Sequence, residues 1–255
     1  MTPSPALAVM PVPGIGLVHP DDDLPGLIAR ALADAGIVLA AGDVVVVAQK
    51  VVSKAEGQLA DPAAVTVTAA AEALAARSGK SAEVAALILA DAATVMRVQR
   101  GVVVVRNRQG HVLANAGIDA SNVADGKLLL WPRDPDASAR AIRARLGGKV
   151  AVIISDSMGR AWRMGTVGTA IGCAGIRPVR DRCGEADLFG RVLQATRIGV
   201  ADEIAAAASL VIGEGAEGIP VAVVRGATYD CDDDVGGEDG GIRPLLRPVA
   251  EDLFL

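Results

Sequence analysis

Two apolar rhythms alternate along the chain. In "DDDLPGLIARALADAG" (21–36) the apolar residues Leu24, Leu27, Ile28, Ala31, Leu32 and Ala35 recur at helical spacing, after an acidic opening and before a closing glycine, Gly36. In three other places they run without a break: Val44–Ala48, Val150–Ile154 and "VAVVRG" (221–226). Unbroken short runs rich in Val and Ile fit strands covered on both faces. The first run is expected to continue as a strand towards Gln49, Lys50, Ser53 and Lys54, and the second to form a strand over 149–154 that stops at Ser155-Asp156-Ser157. Alanine-rich stretches at 64–77 and 81–92 predict helices, and "TVMRVQRGVVVVRNRQGHVLANAG" (94–117) predicts a strand pair turning at Gln109-Gly110. The clearest helix is "DPDASARAIRARLGG", with Asp134 as N-cap, Pro135 in the first turn and Gly147-Gly148 as the stop. Residues 159–199 read as glycine-rich and irregular, and a further helix is expected over 198–212. Helices and strands alternate without a regular βαβ beat, so the expectation is a mixed α/β fold forming one domain over 1–255.

Composition narrows the function. Of 255 residues 51% are hydrophobic but only 2% aromatic, and the net charge is −5. Few rings are available for base stacking and no basic footprint exists for a phosphate backbone, which argues against nucleic-acid binding. Three cysteines (Cys173, Cys183, Cys231) without CxxC spacing, and two histidines in all, make a thiolate or imidazole zinc site a poor fit. No apolar stretch approaches the length of a membrane span and the N-terminus carries no signal-peptide pattern, so a cytoplasmic protein is expected.

Two glycine motifs fail on inspection. "SGKS" (78–81) has Leu74 where a P-loop needs its first glycine, and helical sequence where it needs a strand; it reads as a helix–helix turn. "GIG" (14–16) lacks the third glycine of a dinucleotide fingerprint. The acidic positions are more informative. "ANAGIDASN" puts Asp119 and Asn122 after an apolar strand, and "IISDS" puts Asp156 and Ser157 at another strand's end. Hard divalent cations take oxygen ligands of this kind, though each aspartate taken singly reads first as a turn or helix cap. Lys50 and Lys54 have the reach to contact phosphates as point charges, or to sit solvated at a strand end. In "VIGEGAEG" (211–218), glycine N–H groups suit an anion, while Glu214 and Glu217 oppose one unless a cation bridges them. Arg160, Arg163, Arg177, Arg180, Arg182 and Arg191 form a basic set that either recognises phosphate and carboxylate or pairs with Asp181, Glu185 and Asp187. The tail "DCDDDVGGEDGG" reads as a solvated loop.

Taken together, "GDVVVVAQKVVSKAEG", "ANAGIDASNV", "DPDASARAIR", "VIISDSMGRAWRMGTVGTAIGCAGI", "ADEIAAAASLVIGEG", "IPVAVVRG" and "RPVAEDLFL" resemble, in order from residue 12 onwards, the GTP-dependent coenzyme F420-0:L-glutamate ligases, the coenzyme F420 gamma-glutamyl ligases. The resemblance implies addition of L-glutamate to the deazaflavin precursor coenzyme F420-0 and onward to its gamma-glutamyl tail, with GTP hydrolysed to GDP and phosphate. It implies two Mg²⁺ or Mn²⁺ ions per site, K⁺, a homodimer, and a fold of two interleaved lobes with mixed sheets, unlike P-loop proteins. Matched by motif, Asp119 and Asp156 are implied as catalytic metal ligands, joined by Ser157 and Glu214. Ile15, Gly16, Leu17, Val18, Gln49, Lys54, Asn122, Gly213 and Gly215 are implied nucleotide contacts. The chain departs from the family at Gly16 and Leu17, where Pro and Glu are usual, and at Glu214, where an amide is common. A reductase-like C-terminal domain, present in fused relatives, is not expected after "EDLFL". The expected chemistry is an acyl phosphate, formed on the acceptor carboxylate and then attacked by the glutamate amine, with the 160–191 arginines as substrate contacts.

Overall fold

A computed structural model describes residues 6–123, 126–232 and 240–252. In chain order the elements are β1 (Ala8–Pro11), α1 (Leu24–Asp34), β2 (Val44–Ala48), α2 (Gln49–Ala55), β3 (Leu59–Ala60), α3 (Ala69–Ser78), α4 (Ala82–Asp91), β4 (Ala92–Gln99), β5 (Val102–Asn107), β6 (Val112–Ala114), β7 (Leu128–Leu129), α5 (Pro135–Arg145), β8 (Ala151–Arg160), β9 (Arg163–Ala174), β10 (Arg180–Asp181), β11 (Arg197–Ile198), α6 (Val200–Ile212) and β12 (Val221–Arg225). The main sheet has the order β1-β12-β2-β8-β9, with β2 and β8 parallel and its other neighbours antiparallel. A three-stranded sheet β4-β5-β6 and two short ribbons, β3-β7 and β10-β11, complete a mixed α/β fold.

The unbroken apolar runs are the inner strands of the main sheet. Val44–Val47, Ala151–Ile154 and Val221–Val224 are fully buried because both faces are covered. Val45, Val47, Val152, Ile154, Val221 and Val223 face the larger core, formed with α1, α3, α4, α5 and β5. Val44, Val46, Ala151, Ile153, Ala222 and Val224 face the second core, under α6. Asp134 caps α5 by accepting the Ala137 N–H at 2.8 Å, and Pro135 opens the helix, as the pattern predicts. The "SGKS" stretch is a helix–helix turn: Gly79 ends α3 at φ 74° and Ser81 caps α4.

Four expectations need correcting. The strand of 44–48 does not run on to Lys54; the chain turns into α2 at Gln49, which buries Gln49, Val52 and Ser53 and leaves Lys50 and Lys54 one turn apart. The second run does not stop at Ser155, because β8 continues to Arg160 as a hairpin with β9. The stretch 94–117 holds part of a three-stranded sheet rather than one strand pair, with an additional turn at Arg100-Gly101. Residues 159–199 are not uniformly irregular, since β9 spans twelve of them. Its glycines reflect contact: a Cβ on Gly168 would lie 2.5 Å from the Ala205 carbonyl oxygen in α6, and one on Gly172 would lie 2.4 Å from the Pro135 carbonyl carbon in α5. Residues 233–239 of the acidic tail, and 253–255 of "EDLFL", lie outside the described residues. No described helix is long and apolar enough to cross a membrane.

Candidate functional site

Strand directions gather the candidate residues. β2 and β8 are parallel with Ala48 opposite Ser155, and β12 runs antiparallel to β2 with Val221 opposite Val47. The end of β2, residues 155–157 of β8 and the loop entering β12 therefore meet at one edge of the sheet. Crevices at the carboxyl ends of parallel strands are the usual ligand sites of α/β sheets. Here the edge forms a cleft of about 600 Å³ whose lining includes Gly16, Leu17, Gln49, Lys50, Lys54, Asn122, Asp156, Ser157, Gly213, Glu214 and Gly215.

Asp156 is held by two hydrogen bonds. Its Oδ1 accepts the Ser157 N–H at 2.8 Å and its Oδ2 accepts the Trp131 indole N–H at 2.8 Å. Burial pushes its pKa above the ordinary carboxylate value, against the pull of those two donors and of the Lys50 charge, while the Asp119 charge pushes the same way as burial. The two aspartates, 37 positions apart in the chain, thus lie within electrostatic reach of each other. Asp119 bonds the Lys50 ammonium and accepts from Ser121 through its N–H at 2.6 Å and its hydroxyl at 2.9 Å. Burial raises the Asp119 pKa, but Lys50 and Ser121 more than offset it and the net shift is downward.

Opposite them, the Ser157 hydroxyl donates to Glu214. The loop between α6 and β12 is braced from inside, with the Glu217 carboxylate accepting the Gly215 N–H at 2.7 Å. Asn122, at φ 55°, donates to the Gly215 carbonyl at 3.4 Å and so joins the loop to the Asp119 segment. Lys54 forms no ion pair with a described residue, and its pKa is lowered by burial and by the charge of Lys50. Gln49 is buried, donating to Ser53 at 2.6 Å and to the Leu130 carbonyl at 3.3 Å. Of the N-terminal turn, Ile15 and Val18 point into the core and only Gly16 and Leu17 line the cleft.

The donors are all oxygens: Asp119, Asp156, Ser157 and Glu214. Lys50 is paired with Asp119 and acts on Asp156 only through its charge, while Lys54 lines the same cleft. Among the described residues no three His, Cys, Asp or Glu side chains are grouped closely enough to hold a metal ion, so Asp119, Asp156 and Glu214 do not converge as a three-carboxylate site. A cation here would have to be held through one or two of these carboxylates, with waters and substrate phosphates completing its shell, as is common for Mg²⁺.

The basic set expected to bind substrate does not line this cleft. Arg182 bonds Glu185 at 2.6 Å, Arg177 approaches Asp232 at 4.0 Å and Arg160 donates to the Met164 carbonyl at 3.3 Å. Lys50, expected on a phosphate or in solvent, is paired with Asp119. Sequence reasoning missed Trp131 and Ser121. Trp131 ends an apolar run just before Pro132, where its side chain reads as core, and it is 25 positions from the carboxylate it serves.

Behind Trp131, His111 packs edge-on with ring centroids 5.2 Å apart. Burial pushes the His111 pKa down from 6.5 to about 4. The unfolded chain therefore takes up this proton first, and stability present above pH 6.5 is lost as pH falls towards 4, by about 3 kcal/mol. His111→Phe keeps the ring contact without the proton, and urea unfolding at pH 7 and near pH 4 should show a correspondingly shallower acid loss. An acid loss equal to that of the parent chain would remove His111 as its source.

A cleft of this size, with carboxylates, a lysine pair and a glycine-rich loop at a sheet edge, defines the site of an enzyme acting on small charged molecules. The chain belongs to the family described as F420-0:Gamma-glutamyl ligase, whose match covers residues 14–226. It is 44% identical over 252 residues to the coenzyme F420:L-glutamate ligase of Methanothermobacter thermautotrophicus, covering 97% of this chain and 98% of that one. The proteins of that name from Archaeoglobus fulgidus (42%, covering 96% and 95%) and Methanocaldococcus jannaschii (42%, covering 84% of each chain) are similar too.

Proposed function

We propose that this protein is a ligase that joins L-glutamate to coenzyme F420-0 and then to the growing gamma-glutamyl tail, at the expense of GTP. The observation that carries this reading is the cleft itself, where Lys54, the 213–218 loop and Asp156 meet at one edge of the sheet, with Asp119 paired to Lys50 beside it. The γ-phosphoryl group of GTP passes to a carboxylate oxygen of the acceptor, giving an acyl phosphate and GDP. The glutamate amine then attacks the carbonyl carbon, the C–O bond to phosphate breaks, phosphate leaves with the electron pair, and the amine proton goes to solvent.

Lys54 and the glycine loop hold the phosphates, by charge and by backbone N–H. Asp119, Asp156, Ser157 and Glu214 would hold Mg²⁺ or Mn²⁺, which when bound supplies charge neutralisation at the transferring phosphoryl group. Trp131 fixes the Asp156 carboxylate in place, and Lys50 keeps Asp119 ionised. Incubation with GTP, Mn²⁺, K⁺, L-glutamate and coenzyme F420-0 should give a product heavier by one or more glutamyl units, detected by mass spectrometry. GTP binding without any mass gain would leave only a nucleotide-binding relative, and glutamylation of another carboxylate alone would replace the acceptor.

The same reading includes a homodimer. Exposed apolar side chains stand on two hairpins: Met164 at the start of β9, and Leu188 and Phe189, 100% and 88% exposed, between β10 and β11. Exposed apolar groups of this kind suit a second copy of the chain. Leu188→Asp with Phe189→Asp should shift sedimentation from dimer to monomer; a parent chain that already sediments as a monomer would end this part of the reading.

A further inference from the structure

We propose that the cavity lined by His111, whose ring packs on Trp131, is a second binding site for a small molecule carrying two or more phosphate or carboxylate groups. The cavity measures about 810 Å³, large enough for a nucleotide-sized ligand, and lies between the β5–β6 turn, the start of α5 and residues 240–249. Six arginines line it: Arg106, Arg108, Arg133, Arg140, Arg243 and Arg247. In a chain of net charge −5 this concentration is not a by-product of general basicity.

The acids lining the cavity are already committed. Asp134 caps α5 and lies 3.6 Å from Arg140, while Asp136 accepts the N–H groups of Cys173 at 2.7 Å and Ile242 at 3.1 Å. Arg106 is paired with Asp252 at 2.7 Å. No ion pair joins Arg108, Arg133, Arg243 or Arg247 to a described acid, and Asp91 acts on Arg108 only at longer range. Four guanidinium groups around one space repel each other, and a ligand with several anionic groups relieves that by accepting their paired N–H donors.

A chain of side-chain contacts links this cavity to the cleft. His111 lines the cavity and touches the Trp131 ring, whose N–H in turn bonds Asp156. Trp131 is therefore placed to report on occupancy. Two sources share the required chemistry: a free phosphate compound, and a chain of carboxylates such as the tail of the proposed product. The site stands or falls by binding alone, so its failure is distinct from failure of the ligase reading.

The chain has two tryptophans, and Trp162 is exposed, so the full-length Trp162→Phe protein leaves Trp131 as the only indole. It is titrated separately with pyrophosphate and with γ-L-glutamyl-L-glutamate, following tryptophan emission. At least one probe should change the emission saturably, with weaker binding at high salt. Arg243→Ala with Arg247→Ala, both on the exposed C-terminal segment, should weaken binding about thirty-fold without changing the melting temperature. Lys54→Ala should leave it intact. A response to pyrophosphate alone assigns a phosphate ligand, and one to the dipeptide alone assigns a carboxylate ligand. No response to either, no effect of the arginine pair, or loss of the response in Lys54→Ala would each overturn the proposal.

Discussion

Asp156→Asn should lower glutamate-dependent phosphate release from GTP by about 10²–10³-fold while leaving the protein folded. The side chain keeps its shape, and the amide oxygen can still accept one of the two donors now held, the Ser157 N–H and the Trp131 indole N–H. The other hydrogen bond is lost at about 1 kcal/mol, partly offset because a buried carboxylate no longer has to carry charge. The melting temperature should move by no more than about 4 °C. What the variant lacks is the negative charge that, in the proposed reading, draws a cation into the cleft. Rate and stability are measured on the same preparation, by phosphate release and thermal unfolding. Near-parental turnover would remove Asp156 from the chemistry, and loss of both fold and rate would make it a structural residue.

The parts of this site that could be read from the sequence are those with a local signature. Val44–Val47, Ala151–Ile154 and Val221–Val224 announce two-faced burial by their composition, and Asp134-Pro135 announces the start of α5. Asp119, Asp156 and Glu214 stand out as charge beside apolar runs. Their placement has no local signature, because it follows from strand direction: β8 parallel to β2, and β12 antiparallel to it. Helix α2 was hidden by Val51 and Val52, which prolong the β2 run although the chain has turned. Strand β1 was hidden by the prolines around it, tolerated because it lies at the sheet edge, and Pro11 ends it. The arginines between 160 and 191 cluster in sequence yet lie along arms, whereas the six that do surround one cavity are scattered from 106 to 247.

Glycine misled most in β9, and there it also sets the second large effect. Gly172→Ala should destabilise the protein by about 3 kcal/mol, or about 10 °C in melting temperature. The added Cβ would lie 2.4 Å from the Pro135 carbonyl carbon and 2.7 Å from its oxygen, and backbone cannot swing aside as a side-chain tip can. The first turn of α5 must lift from the sheet. That turn carries Asp136, which holds the N–H groups of Cys173 in β9 and Ile242 in the C-terminal segment, so the strain spreads to both. Gly159→Ala is the matched control, since it is a glycine of the same hairpin with open space around it, and it should change stability by less than about 0.5 kcal/mol. Urea unfolding of the two variants separates the alternatives. If both melt alike, the glycines of β9 serve chain flexibility and the close seat of α5 is not what selects them. If Gly172→Ala alone is weakened, the stretch that looks irregular in sequence is the rigid floor on which α5 rests.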